Sequence, residues 1–208
     1  SLAASAFVLL CYNPYFLWAV GFQLSYLAVL SIIIFQKPIY NCIYIKNKWL
    51  DKAWQLMAVS VAAQLLTFPV CIYYFHQFPN LFLISNMICV PLSGLILYAE
   101  IVLVAFSWIP LIGAYVGKLV AVLVGFMNKI ILWINDLSFA VWDRIPATVL
   151  STWLTYAVIA CFGAWLLQKQ KKYFNMALLT LLAFAMQGAY NSWQTAKQQK
   201  LIVYNVPR

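Results

Sequence analysis

The chain has 208 residues, of which 66% are hydrophobic and 8% are charged, and its mean hydropathy is +0.89. Because roughly a quarter of the residues of a soluble domain are charged, this composition excludes an ordinary soluble globular domain. The formal net charge is +9, from 13 basic and four acidic residues. This charge suits anionic partners, but lysines also accumulate in the cytoplasmic loops of membrane proteins, and we favour this second cause.

The first stretch, 2–12, is apolar but too short to cross a hydrocarbon core of about 30 Å, so we interpret it as the end of a truncated helix. Asn13-Pro14 predicts a turn, because proline disfavours the α region for the residue before it. The apolar run 15–35 is long enough to span a membrane. Within it, Gly21 is expected to permit a close helix contact.

Five further apolar runs predict membrane crossings at 55–75, 81–108, 112–135, 148–167 and 173–190. Pro69 predicts a kink in the first of these runs. The second is too long for one straight crossing, so it either tilts or breaks at Pro91. The third carries a small residue at every fourth position, which favours a close helix contact: Gly113, Gly117, Ala121 and Gly125. The predicted fold class is all-α, a polytopic transmembrane helical bundle with at least one helix broken by proline.

The lysines between the crossings predict the orientation of the chain. Loop 36–54 holds four lysines and loop 168–172 holds three, so both loops are expected in the cytoplasm. Residues 191–208 then lie outside. Their polar part predicts an exit linker, and 201–206 predicts a strand that needs a further soluble domain to pair with. The predicted boundary therefore divides 1–190, the membrane domain, from 191–208.

A family resemblance rests on the start of the chain. Asn13-Pro14 followed by Gly21-Phe22-Gln23-Leu24-Ser25 resembles the NP…GFQLS signature of the competence domain of the ComEC family, the proposed inner-membrane DNA channels of bacterial natural transformation. Gln64…Pro69 and Asn86…Pro91 resemble the Q…P and N…P segments that follow it there. One departure is Ala19, where many family members have Asp. Residues 201–206 look like the first strand of the metallo-β-lactamase-like domain of that family.

Four polar side chains inside the predicted crossings are candidates for a channel lining or a polar core: Gln23, Ser25, Gln64 and Asn86. An unpaired amide in hydrocarbon costs kilocalories, so such groups either bond across helices or line a wet path. Both alternatives stay open.

Three charged residues extend this set. Glu100 is the only acidic residue within a long apolar run, and we expect Lys118 or Lys129 as its partner unless Glu100 reaches water at a helix end. At 100° per residue, both lysines share one face with Asp136. They either form a basic track for phosphates or extend to opposite interfaces.

The sequence carries no pattern that predicts enzymatic chemistry, a metal or a cofactor. Its five cysteines are odd in number and widely spaced, and the single histidine, His76, has no second ligand nearby in sequence. We therefore predict no catalytic residue.

The resemblance implies an inner-membrane domain that passes a single DNA strand into the cytoplasm. Its expected partners are single-stranded DNA, the lipid bilayer and other competence proteins. Association of the chain with copies of itself, as a homo-oligomer, is a further alternative. The alternative function is a secondary transporter of a small solute, in which Pro91 marks a broken helix and Glu100 binds a proton or the substrate. A third alternative is a membrane anchor whose activity belongs to other domains.

Overall fold

The computed structural model describes residues 1–106, 108–143 and 145–197. These residues form seven α-helices, which confirms the predicted all-α class: α1 Leu2–Tyr12, α2 Val20–Tyr40, α3 Lys48–Phe75, α4 Phe82–Ala105, α5 Pro110–Asn135, α6 Val149–Gln168 and α7 Lys171–Lys197. A 3-10 helix, Pro14–Trp18, and two short strands, β1 Phe78–Pro79 and β2 Val141–Trp142, complete the described elements. The chain divides into two compact units, Ser1–Pro146 and Ala147–Arg208.

Five of these helices, α2 to α6, are long and apolar enough to cross a membrane. The crossing predicted at 173–190 is not among them, although α7 covers it. α7 is less apolar because it carries the amides Asn175 and Gln187 and lysines at both ends. It also continues to Lys197, so the first part of the predicted exit linker is helical. The strand predicted at 201–206 lies outside the described residues.

The turn predicted at Asn13-Pro14 is confirmed. Asn13 is extended, and its side chain accepts a hydrogen bond from the backbone N–H of Tyr15 at 3.0 Å. The chain then forms one 3-10 helix instead of continuing as the predicted crossing from Tyr15. α2 begins only at Val20, because Ala19 returns to an extended conformation. The first crossing is therefore displaced towards the C-terminus and ends at Tyr40.

Three of the described helices contain an internal proline: Pro38 in α2, Pro69 in α3 and Pro91 in α4. Each helix continues on both sides of its proline. In particular, α4 runs from Phe82 to Ala105 without a break at Pro91, which was one of the two alternatives left open by the sequence. A proline removes one backbone donor from a helix, and hydrogen bonds in the turns on either side maintain the helix across that gap.

The first unit is built on the antiparallel pair α2 and α3. Small side chains on α3, Ala58 and Ala62, are fully buried, and so is Ser31 on α2. Small residues allow two helix backbones to approach closely, which is the common solution where lipid supplies no hydrophobic driving force between helices. Phe35 of α2 fills the core beside them.

A small antiparallel sheet joins the loop after α3 to the loop after α5. Phe78 pairs with Trp142, and Pro79 pairs with Val141. Asn80 extends the junction, because its side-chain amide donates to the carbonyl of Phe139 at 3.0 Å. These contacts fix one end of the α3, α4 and α5 group.

The second unit is the hairpin of α6 and α7. Thr148 caps α6 in a capping box with Ser151, and Lys169 ends α6 in the left-handed conformation, with φ of 51°. Gln187 of α7 donates to the hydroxyl of Thr148 at 3.2 Å, which joins α7 to the start of α6. The basic turn predicted at 168–172 is the connection of this hairpin.

Candidate functional site

The GFQLS segment forms a structural junction at the start of α2. The side chain of Gln23 donates to the carbonyl of Leu17 at 2.9 Å, so it holds the 3-10 helix against the first turn of α2. The ring of Phe22 lies 4.3 Å from that of Tyr26, whose hydroxyl donates to Ser5 on α1 at 3.0 Å. The side-chain amide N–H of Gln23 is therefore paired within its own segment, as expected for a residue that holds two helical segments together.

One expectation for this segment is corrected, and one stays a prediction. Gly21 makes no close helix contact, because a methyl group placed there would have no other atom within 4 Å. Ser25 is exposed, and its side chain forms no hydrogen bond with the described residues, so its assignment to a channel lining or polar core stays a prediction.

A buried polar contact joins α2 to α3 at Ser31, a residue that was not among the sequence-based candidates. Its hydroxyl donates to the carbonyl of Ala62 and accepts from the backbone N–H of Leu66 at 3.2 Å. A serine in the middle of an apolar crossing was the available signal, because lipid offers it no partner.

Gln64 lies on the side of α3 that faces away from this contact. At 100° per residue it is about 200° from Ala62 around the helix axis. Its side chain is half-buried and has no hydrogen-bond partner among the described residues, whereas its backbone carbonyl accepts from Thr67 at 3.3 Å. The side chain of Gln64 therefore does not link α3 to α2.

Three polar residues form a stripe along α4, at Asn86, Ser93 and Glu100. They are spaced by seven residues, which places them within about 40° of one another around the helix and over about 21 Å of its length. Asn86 is half-buried and the other two are exposed. We call these three residues the α4 polar stripe, and the sequence analysis missed it because it treated each residue separately.

Ser93 shows where the stripe lies. Its hydroxyl donates to the carbonyl of Cys89 at 2.6 Å and lies 3.6 Å from the sulfur of Met127 on α5. The stripe therefore runs beside the contact between α4 and α5. The side chains of Asn86 and Glu100 have no hydrogen-bond or ion-pair partner among residues 1–106, 108–143 and 145–197.

The expected ion pair of Glu100 with Lys118 or Lys129 is not formed within the described chain. Gly117 and Met127 mark the side of α5 that contacts α4, since Gly117 would place a methyl group 3.8 Å from Leu103. At 100° per residue both lysines lie on the opposite side of α5, and both are exposed. The two lysines do share one face, as predicted from their spacing.

The row of small residues on α5 contacts α4 only in part. A four-residue repeat drifts by about 40° around the helix at each step, so it cannot follow one face. Accordingly Gly117 faces α4, whereas a methyl group at Gly125 would meet no atom within 4 Å.

Metal-binding and cysteine chemistry receive no support from the described residues. Among them, no three side chains of His, Cys, Asp or Glu come together as a metal site would require. His76 ends α3 in the left-handed conformation, and its Nδ1 lies 3.3 Å from the carbonyl oxygen of Ile145. His76 thus belongs to the loop junction rather than to the α4 polar stripe.

Comparison with known proteins gives two matches. The family model described as Competence protein matches residues 1–170, which include α1 to α6. ComE operon protein 3 of Bacillus subtilis (strain 168) is 31% identical over an alignment of 173 residues, and the match covers 76% of this chain and 20% of that protein. The chain thus spans about a fifth of the length of this curated relative. No solved structure gives a significant match. With five helices of spanning length and a family match over most of its residues, the chain is a multi-pass membrane protein that belongs to the Competence protein family.

Proposed function

We propose that the chain forms part of the passage that carries a single DNA strand through the bacterial inner membrane during natural transformation. Membership of the Competence protein family supports a role in DNA uptake. The passage itself is inferred from the chemistry of the helices. A DNA strand carries one charge per nucleotide and cannot cross hydrocarbon, so any passage needs a continuous polar wall.

The α4 polar stripe is the observation that carries this proposal. It covers about 21 Å of a hydrocarbon core about 30 Å thick, on a helix of spanning length. Lipid cannot hydrogen-bond Asn86 or Glu100, so the stripe requires either water or other protein beside it. A polar row along the helix axis is the form that a water-filled path would need.

Gln64 supports the same conclusion from a second helix. Its amide points away from the α2 contact and has no partner within the described chain. An amide that only joined two segments would be paired, as Gln23 is with Leu17. We assign Gln64 and Asn86 to the wall of the passage and Gln23 to the scaffold.

The charge balance also fits a polyanion. Only four residues of the chain are acidic, against 13 basic ones. Lys118 and Lys129 would form a basic track if other protein covers the outer side of α5. In the orientation that we propose, loops 36–54 and 168–172 face the cytoplasm.

A solute transporter is the second candidate, and Glu100 is the observation that favours it. A carboxylate on a spanning helix is a common proton or ion site, and it repels phosphate. The two functions therefore give opposite expectations for Glu100→Gln. DNA entry should be unchanged or faster in this variant if the stripe passes DNA, whereas proton-coupled solute uptake should be lost.

The test compares entry of labelled DNA into the cytoplasm of a strain that lacks the gene, complemented with the full-length protein. The variant Gln64→Met with Asn86→Leu removes both amides at similar volume. Its DNA entry should fall about tenfold or more, because about 1.4 kcal/mol of added barrier corresponds to tenfold in rate. Thr180→Val is the matched control, because within the described part of the chain the Thr180 hydroxyl bonds only to its own helix.

Protein abundance is measured for every strain. Normal DNA entry in the abundant double variant would contradict the polar wall. Normal entry without the gene would contradict the role in DNA uptake altogether. If deletion of other domains of the full-length protein abolishes DNA entry while the double variant does not, the chain is an anchor.

A further inference from the structure

The connection between α2 and α3 forms a half-open surface pocket of ≈ 450 Å³, a size typical of ligand sites. Its wall contains both charged and apolar side chains: Tyr40, Asn41, Ile43, Tyr44, Ile45, Lys46, Lys48 and Asp51. We call it the turn pocket. Both helices that it joins are of membrane-spanning length, and both end at the pocket. The pocket therefore lies where the chain passes from hydrocarbon to water.

Hydrogen bonds hold the pocket in shape. The hydroxyl of Tyr40 donates to the carboxylate of Asp51 at 2.7 Å, which joins the last residue of α2 to the first turn of α3. The indole N–H of Trp54 donates to the carbonyl of Tyr40 at 2.9 Å. The side chain of Asn47 caps α3 by accepting from the N–H of Trp49 at 2.9 Å. The wall is therefore formed without a ligand.

The pocket has an excess of positive charge. Lys46 and Lys48 line it, and neither forms an ion pair with any residue that the structure describes. Asp51 is the only carboxylate in the wall, and the hydroxyl of Tyr40 already occupies one of its oxygens. Two free ammonium groups beside one engaged carboxylate favour an anion such as a phosphate.

Aromatic residues place this anion site at the membrane surface. Tyr44 is 88% exposed and Trp49 is 80% exposed, although both are large and amphipathic. The ammonium group of Lys52 lies 5.6 Å from the ring centre of Trp49. Exposed tyrosine and tryptophan beside lysines at helix ends are typical of the headgroup level of a bilayer. Ile43 and Ile45 in the wall would contact the glycerol and upper acyl region.

We propose that the turn pocket binds the phosphate headgroup of an anionic phospholipid. Lys46 and Lys48 hold the phosphate, and the exposed rings of Tyr44 and Trp49 lie beside the headgroup. The alternative anion, the backbone of a nucleic acid, would not need apolar side chains in the wall. The proposal is independent of the proposed function, because it concerns how the protein is held in its membrane.

The experiment measures phospholipid binding to the intact protein in detergent by native mass spectrometry. Phosphatidylglycerol is compared with phosphatidylcholine of the same acyl chains, and Lys46→Gln with Lys48→Gln is the test variant. We expect phosphatidylglycerol to bind about tenfold more tightly than phosphatidylcholine, and this preference to disappear in the variant. The control variant is Lys169→Gln with Lys171→Gln, which removes the same charge from another turn and should keep the preference.

Two competitors distinguish the source of the anion. Glycerol phosphate should displace the bound phosphatidylglycerol only weakly. Displacement as strong as that by added phosphatidylglycerol would assign the site to free phosphate. Displacement by a single-stranded oligonucleotide would assign it to nucleic acid, and either result overturns the proposal. Equal binding of both lipids, or a lysine variant that keeps the preference, also overturns it. Because both lysines are polar residues at the surface, the variant should fold, and gel filtration of each protein checks this.

Discussion

Ser31 of α2 bonds to two backbone groups of α3 that belong to successive turns. Its hydroxyl donates to the carbonyl of Ala62 and accepts from the N–H of Leu66. These two groups are the pair that an α-helix joins between residues i and i−4. A side chain at that position ties the neighbouring helix directly to the backbone of α3, so it fixes the register of the two helices rather than only their separation.

The Ser31→Ala variant should therefore destabilise the protein more than a typical surface change. It removes both bonds at a position with no exposed surface, and lost hydrogen bonds between membrane helices cost about 0.6–2 kcal/mol. The midpoint of thermal unfolding in detergent measures the effect. Ser25→Ala is the control, because Ser25 is exposed and its side chain is unbonded in the described structure. Equal midpoints for the two variants would show that the Ser31 bonds do not stabilise the helix pair.

Gln23→Leu should loosen the start of α2 without blocking DNA entry. The variant loses the bond to the carbonyl of Leu17, which contributes about 0.5–1.5 kcal/mol. Hydrogen exchange of the backbone amides of residues 15–19 should become faster, while exchange in α3 stays unchanged. In the DNA entry assay, the Gln23 variant should keep activity at equal abundance, whereas Gln64→Leu should lose it. The opposite order of the two variants would place Gln23, not Gln64, in the passage.

Glu100 and the lysines of α5 should act independently. A double-mutant cycle with Glu100→Gln and Lys118→Gln should give a coupling energy below about 0.5 kcal/mol in thermal unfolding, as is usual for residues that do not touch. The lysines lie on the side of α5 away from α4, so removing one does not change the surroundings of Glu100. The same cycle with Lys129 serves as a replicate. A coupling near 2 kcal/mol would mean that the pair forms in the membrane.

The fold class and most helices were predictable because they depend on hydrophobic run length, which the sequence displays directly. The turn at Asn13 was predictable because proline acts locally. The start of α2 was not, since the 3-10 helix that displaces it is held by contacts such as that between Gln23 and Leu17, which the sequence does not display. The continuity of α4 across Pro91 was not predictable either, because it depends on hydrogen bonds in the turns on both sides of the proline rather than on the proline itself.

The candidate site was predictable as a list of residues but not as an arrangement. Gln64, Asn86 and Glu100 are conspicuous because each is polar within an apolar run. Which of them are paired depends on helix rotation, and rotation is set by the packing of small residues such as Ala58 and Ala62. Ser31 could have been noticed as a serine inside an apolar run, but its partners are backbone groups and could not be identified from the sequence.

Lys169→Gly should stabilise the hairpin of α6 and α7. Lys169 ends α6 with φ of 51°, a conformation that costs a residue with a side chain about 1 kcal/mol and costs glycine almost nothing. The greater freedom of glycine in the unfolded chain offsets part of this gain, so we expect a net stabilisation of about 0.5 kcal/mol. Thermal unfolding in detergent is the measurement, and Lys169→Ala is the control because it removes the same charge without relieving the backbone. A midpoint for the glycine variant at or below that of the alanine variant would show that the left-handed conformation at Lys169 does not limit the stability of the hairpin.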